Sequence, residues 1–469
     1  MRWLFAFLWL SALSTPSWAA SPAETWVIVQ DMWGNPAYST LTLVRDRGSL
    51  SGDLDGDALT GAVSGDAIRF EAKDRRDRIY RFAGTARGGA MAGSADFPDN
   101  NFPDRRAVHA FTARRIADRP AGPPRTYHFQ PADYANSFDP HRLPVLTIWP
   151  GDSVATTTID SGGVDAEGVT RALFGNPQTG PFFVAGAAQG DVLAIHIKRL
   201  RPNRDYADSL DSIVGRAMGL SLAAKAGELG KPVRWRLDRA AGLARPENAT
   251  GALAGFSVAL KPMLGGLALA PGFGSAPLST GDTGPSGGNM DFNEVVEGNT
   301  IYLPVQQPGA LLYLGDAHAL QGDGETSQYA LETSMDVEFS VDLIKGKRIG
   351  APRVESPREI MVLGQAGSLD EAIKMASTGM IQWLQQDYGL TLSQAAQISG
   401  AAMRYSVPNL AGRSVGVAAR LDKQSCRRER ASSRPSHPGR PGRRPEHRCQ
   451  RPPDRAGQAL PARRDLIAR

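Results

Sequence analysis

Gly315-Asp316-Ala317-His318-Ala319-Leu320-Gln321-Gly322-Asp323-Gly324-Glu325 is the stretch on which the reading of this chain turns. It sets an imidazole, three carboxylates and a side-chain amide among three glycines. Core packing asks for none of that mixture. A half-buried strand would alternate apolar and polar residues, and a helix interior would avoid glycine. The run follows Ala310-Leu311-Leu312-Tyr313-Leu314, which reads as a buried strand. Polar groups at the end of a rigid strand are where a site is usually held.

Two chemistries fit the run. Asp316, Asp323 and Glu325 are oxygen ligands and His318 is a nitrogen ligand, so together they could hold a divalent ion. Alternatively, a carboxylate acts as general base while His318 or Gln321 polarises a carbonyl. A solvated Gly-rich turn is the plain competitor, since Asp and Gly are ordinary turn residues.

Four polar segments are candidates to converge: Asp160, Asn289 with Asp291, Asp316 with His318, and Asp323 with Glu325. Asn289 and Asp291 follow Gly284-Pro285-Ser286-Gly287-Gly288, a lead flexible enough for backbone to approach a ligand. His196 alternates with apolar neighbours in Val192–Ile197 and reads as a strand-surface or satisfied core histidine. His109, His128 and His141 have no polar clusters around them. Glu332 fits either a supporting position or a buried pair. Arg199–Arg204 reads as a solvated basic face.

Gly315–Glu325 resembles the G-D-x-H-x-x-Q-G-D-G-E signature of the acetamidase/formamidase family. Asn176-Pro177-Gln178-Thr179-Gly180-Pro181, continued by Gly186-Ala187 and Gly190-Asp191-Val192-Leu193, resembles its N-P-x-T-G-P stretch and the G-A-x-x-G-D-x-L that follows. Gly287-Gly288-Asn289-Met290-Asp291, Tyr302–Val305, Pro308–Leu311 and Ala330-Leu331-Glu332-Thr333 resemble further family elements in the same order. The resemblance runs from about Tyr127 to Lys423.

It implies a mainly β, sandwich-like domain with a smaller α+β part. It implies a homo-oligomer that hydrolyses the C–N bond of a small linear amide, releasing ammonia and a carboxylate. In this reading Asp323, Glu325, His318 and Gln321 are catalytic, and Asn289, Gly322 and Gly324 bind substrate. A metal, zinc or calcium, would sit on Asp316, His318, Asp291 and Asp160. The alternatives are a non-catalytic periplasmic binding protein and a metal-dependent hydrolase of another bond. Both cysteines, Cys426 and Cys449, lie at the far C-terminal end, so the body offers no cysteine nucleophile and no disulfide framework. No Ser/His/Asp arrangement is recoverable. Thr326–Tyr329 is bulkier than the family's small-residue stretch, so the hydrolase class is a firmer expectation than formamide or acetamide as substrate.

The ends differ from the middle. Met1–Ala20 has a basic start, an apolar run from Trp3 to Leu13 and a small-x-small pattern at Ser17–Ala19. That is a signal-peptide pattern and predicts a periplasmic or secreted protein with no membrane span in its mature form. Residues 424–469 hold thirteen Arg against four acidic residues, about +9, while the whole chain is +5. The basic balance therefore belongs to the tail and is no argument that the body binds nucleic acid. The tail's Arg/Pro/Gly/Ser/Ala bias, without Lys, reads as a disordered segment or a frame shifted near Lys423.

Residues 24–115 predict a separate small antiparallel β domain. Trp26–Val29, Leu41–Val44, Leu50–Leu54, Ile68–Phe70 and Tyr80–Gly84 are strand candidates, closed by Met91–Gly93 and Val108–Phe111. Asp53-Leu54-Asp55-Gly56-Asp57 reads as a hairpin turn and not a calcium loop, because its glycine precedes the third acid. Helices are few. Ser368 caps one that runs to Tyr388 and stops at Gly389, and Thr391 begins a second.

Overall fold

Alternating apolar residues in the first hundred positions close into an eight-stranded antiparallel barrel. The computed structural model describes residues 22–426 except Pro103. The expected signal segment, Cys449 and nearly all of the Arg-rich tail lie outside those residues. The described residues group as one compact unit.

The barrel strands are β1 (Glu24–Met32), β2 (Asn35–Asp46), β3 (Ser49–Leu54), β4 (Asp57–Ser64), β5 (Ala67–Lys73), β6 (Ile79–Arg87), β7 (Ala90–Pro98) and β8 (Arg106–Arg115). β8 pairs back onto β1, which removes both sheet edges. Every other residue points inward, and Trp26, Ile28, Leu41, Leu43, Phe70, Phe82 and Phe111 fill the lumen. The expected meander is thus a closed barrel. β4 escaped the sequence reading because Ala58-Leu59-Thr60-Gly61-Ala62 carries little β-branched or aromatic signal. Asp55 and Gly56 form the expected two-residue hairpin turn, both at positive φ (52° and 89°).

The larger part is a sandwich. One sheet has six strands, with Leu312–His318 between Gln178–Val184 and Met263–Leu269. The other has nine, with Val192–Pro202 beside Met335–Ile344 near its middle. Phe182, Leu267, Leu312 and Leu314 from the first sheet meet Leu193, Ile195, Phe339 and Val341 from the second in one core. The barrel is not an isolated bead: Val27 and Ile116 share a cluster with Phe138, Phe183 and Tyr313.

The opposite face of the nine-stranded sheet carries the helix Leu369–Tyr388. The Ser368 hydroxyl accepts from the Glu371 N–H, and Gly389 ends the helix at φ 62°. Thr391 and Gln394 make a complete capping box for Leu392–Ala402. Ala372, Ala376, Met380 and Trp383 lie on Val362, Val417 and Ala419. This close seating needs Gly364, where a Cβ would come 2.0 Å from the Ala372 carbonyl oxygen and 2.6 Å from the Ala376 nitrogen. Gly364→Ala should therefore push the helix off its sheet and cost about 3 kcal/mol in urea unfolding; an unchanged midpoint would contradict this packing.

Candidate active site

His318 ends the strand Leu312–His318, so the polar run begins inside a fully buried strand and not in the loop expected. Ala310 and Leu311, expected to open that strand, are instead a buried left-handed turn (φ 59° and 56°). The strand is central and covered on both faces, which is why its inward polar groups can be kept dry. Asp316 and His318, two residues apart, share a face, with His318 Nε2 3.5 Å from Asp316 Oδ1.

Glu332 completes one side, its Oε1 3.3 Å from the same Nε2. Asp291 and Glu325 complete the other. Asp291, His318 and Glu325 form one set with a ligand atom each within 4.8 Å of one another; Asp316, His318 and Glu332 form a second set sharing the imidazole. All five residues are buried.

A layer of amides orients these groups. Gln321 Nε2 donates to the carbonyl oxygens of Asp291 (2.6 Å) and Pro408 (3.0 Å). Both amide hydrogens are thus spent, and Gln321 Oε1 accepts from His318 Nδ1 at 3.0 Å. That bond puts a proton on Nδ1 and aims Nε2 at the carboxylates. Gln321 therefore positions the imidazole and has no hydrogen left for an oxyanion. Asn289 Nδ2 (2.6 Å) and Asn409 Nδ2 (2.5 Å) both donate to Asp291 Oδ2. Asn176 Nδ2 bridges Asn289 Oδ1 (2.6 Å) and Asp316 Oδ2 (3.0 Å). Asn289, expected to bind substrate, is locked in this support. The Gly324 N–H is also taken, by the Pro408 oxygen at 3.0 Å.

Four buried atoms that face inward have no hydrogen-bond partner: Asp291 Oδ1, Asp316 Oδ1, His318 Nε2 and Glu332 Oε2. Orphaned buried polar atoms of this kind are costly unless something else occupies their centre. Burial pushes the Asp291 carboxyl up to about 8, with the Asp316 charge adding to it. Burial and then the Asp291 charge hold Glu325 well above the ordinary carboxylate range, and burial also raises Glu332. For His318 burial opposes the charge, but Glu332 and Asp316 outweigh it and the imidazole is held well above its usual range.

The backbone bends sharply to bring these groups together. Asn176, Asp291, Asp316 and Glu325 all have positive φ, from 42° to 58°. Such conformations cost roughly 1 kcal/mol or more for a residue other than glycine and cluster at functional sites. Gly265 makes the room: a Cβ there would lie 2.6 Å from Asp291 Oδ1 and 2.8 Å from Asp316 Oδ2.

Two expected site residues stand apart. Asp323 is exposed and accepts from Asn293 Nδ2 at 2.8 Å. Asp160 is buried but pairs with Arg204 Nη2 at 2.7 Å. Arg204 is 4% exposed, donates also to the Glu332 carbonyl oxygen, and lies over the Tyr206 ring, so it is no solvated face. Gly322 is exposed beside Asp323. His196 is a satisfied strand histidine, 2.8 Å from Thr300 Oγ1. Sequence reading missed Asn409 and the use of Asn176. Asn176 was legible only as part of the Asn-Pro-Gln-Thr stretch, and Asn409 carried no local signal. Gly284-Pro285-Ser286-Gly287-Gly288 has nucleophile-elbow spacing, yet Ser286 is buried and its hydroxyl donates to the Pro304 oxygen at 2.8 Å.

A family model described as "Acetamidase/Formamidase family" matches residues 274–403, which hold all five buried groups of the site. The chain is 44% identical over 62 residues to an acetamidase of Mycolicibacterium smegmatis, a match covering 13% of this chain and 15% of that protein. It is 31% identical over 138 residues to a formamidase of Methylophilus methylotrophus, covering 25% and 33%. The crystal structure of an acetamidase from Yersinia enterocolitica superposes with a TM-score of 0.56 at 27% identity, covering 65% of this chain and 94% of that one.

Residues 274–403 are thus similar to the acetamidase/formamidase family. The chain spans 15–33% of the length of these two curated relatives. The Yersinia acetamidase is matched over nearly its whole length.

Two measurements check the electrostatics. Asp160→Asn leaves Arg204 buried without its carboxylate and should cost about 3–5 kcal/mol. The second concerns the chelator-treated protein. Folded Asp291 keeps its proton up to about pH 8, whereas the unfolded chain loses it near 3.8. Its raised value thus favours the fold at low pH, and that benefit drains away as pH rises from about 4 to about 8. Asp291→Asn cannot titrate, so urea unfolding should show the variant gaining on the parent between pH 5 and pH 8. A constant difference would refute the assignment.

Proposed function

We propose that this protein hydrolyses the C–N bond of a small amide, giving a carboxylate and ammonia. The observation that supports this most directly is the buried set of Asp291, Asp316, His318, Glu325 and Glu332 with four inward atoms left unpartnered. The names of the acetamidase and formamidase relatives favour an amide over another acyl compound.

Amide hydrolysis needs a polarised carbonyl oxygen, an activated water and a proton for the departing nitrogen. Glu325 suits the proton work. Its raised affinity for a proton lets the carboxylate take one from the attacking water and, as the acid, return it to the leaving nitrogen. His318 cannot swing away, because Gln321 holds its Nδ1 side. Asn176, Asn289 and Asn409 fix the aspartates, so little reorganisation accompanies the reaction.

The donor set fits a divalent ion. His318 Nε2 with Asp316 and Glu332 would hold it, which leaves Glu325 for the proton transfers. One imidazole among carboxylates suits zinc better than calcium, which prefers oxygen alone. Such an ion would supply Lewis-acid polarisation and lower the pKa of a bound water. Export through the Met1–Ala20 segment and assembly into a homo-oligomer belong to the same proposal. N-terminal sequencing of the purified protein and its mass in solution check them.

The test is ammonia release from formamide, acetamide and longer linear amides, beside metal analysis of the purified protein. Glu325→Gln should keep metal content within about twofold and lower kcat by about a hundredfold or more. His318→Ala should lose both metal and activity. Full turnover by Glu325→Gln, or by protein shown to be metal-free, would contradict these roles.

A further inference from the structure

A second site lies at the barrel mouth. The turns β1–β2, β3–β4, β5–β6 and β7–β8 all open at one end of the barrel, and there the lumen widens into a cavity of about 580 Å³. Deeper in, the lumen is packed with apolar side chains, so the cavity is a cup and not a channel.

Its lining departs from what stability alone would choose. On the neighbouring strands β8, β1 and β2, the inward apolar series Phe111, Ile28 and Leu41 gives way one step higher to His109, Gln30 and Ser39. Gln30 and His109 are buried. Gln30 Nε2 donates to Ser39 Oγ at 3.3 Å, and the Ser39 hydroxyl bonds to the Asp55 carboxylate. Asp55 also accepts from the Thr40 N–H at 2.7 Å. No Lys, Arg or His among the described residues lies in salt-bridge contact with it.

The rim departs as well. Trp33 occupies the first position of a type I′ turn at φ 55°, with Gly34 at 86°. Asn or Asp is preferred there, and a bulky side chain costs stability. Trp33 recovers little by burial, because it is 76% exposed. Its ring stands edge-on to His109 at 4.6 Å, and His109 lies 5.5 Å from Phe97. Phe273, from the sandwich, closes the far side and is 54% exposed. A strained, exposed indole over an aromatic wall is unexplained by folding and is what a ligand clamp requires.

Charge selects the ligand. The lining holds four carboxylates, Asp55, Asp57, Asp74 and Asp99, and one guanidinium, Arg78, bonded to Asp74 at 2.7 Å; Arg75 and Arg348 act on Asp57 from outside the cavity, whereas Asp55 has no ion-pair partner among the described residues. Aromatic faces and surplus carboxylate together favour a cation. We propose that the barrel mouth binds a small, flat organic cation, an aromatic amine or amidine, with its ring against Trp33 and Phe97 and its nitrogen at Asp55. This site is separate from the buried carboxylate cluster, with which its lining shares no residue.

Calorimetric titration of the full chain with benzamidine, and with benzoate as a control of the same shape and opposite charge, tests the proposal. Benzamidine should bind once per chain and benzoate should not. Trp33→Asn should raise the melting temperature, because it installs the asparagine–glycine pair that the turn prefers, and still weaken benzamidine by about tenfold or more. Asp55→Asn, which tolerates the same positive φ, should weaken it likewise. His318→Ala, at the other site, should leave the affinity unchanged. Absence of saturable benzamidine binding overturns the proposal. So does equal binding of benzoate, parent-like affinity in Trp33→Asn, or loss of binding in His318→Ala.

Discussion

Four carboxylates crowd round one imidazole in the buried interior, and the rest of the sandwich is arranged to make that tolerable. Like charges this close repel strongly at low dielectric, so they cannot all be ionised at neutral pH without a compensating cation. The raised proton affinities of Asp291, Glu325, Glu332 and His318 are two faces of that constraint: acids hold protons to avoid charge, and the imidazole holds one to supply it. A divalent ion would serve the same centre. The cluster is poor packing by any measure of stability.

Holding such groups needs rigid surroundings on every side. Leu312–His318 is paired on both edges, which fixes Asp316 and His318. The segment from Pro408 to Gly412 reaches over from beyond the helices to cap Gln321, Gly324 and Asp291. Helix packing on the nine-stranded sheet therefore matters to the site, since it carries the chain to the place where that cap begins. The Asp160–Arg204 pair does similar work from the other direction by anchoring the backbone at Glu332.

Much of this was legible in one dimension. The polar run, the caps of both helices, the Asp55-Gly56 turn and most barrel strands rest on local signals: residue type, spacing and turn chemistry. The boundary of the central strand was misplaced because a strand buried on both faces loses the two-residue alternation that marks most strands. Asp323 and Glu325 looked equivalent on paper. One faces solvent beside Asn293 and the other is buried at φ 44°, a distinction set by backbone turns and not by composition.

The sequence alone determined which chemical groups were available, that the fold is β-rich and that residues 315–325 gather polar groups beside a buried strand, because composition and local periodicity are properties of the chain itself. Tertiary structure decided that Asn176, Asn289, Asp291 and Asn409 join His318, that Asp160 serves Arg204, and that Gln321 is bonded to the imidazole Nδ1. Hydrogen-bonded partners in this layer lie up to 140 positions apart. Their protonation and orientation follow from burial and from neighbours that only the folded chain brings together.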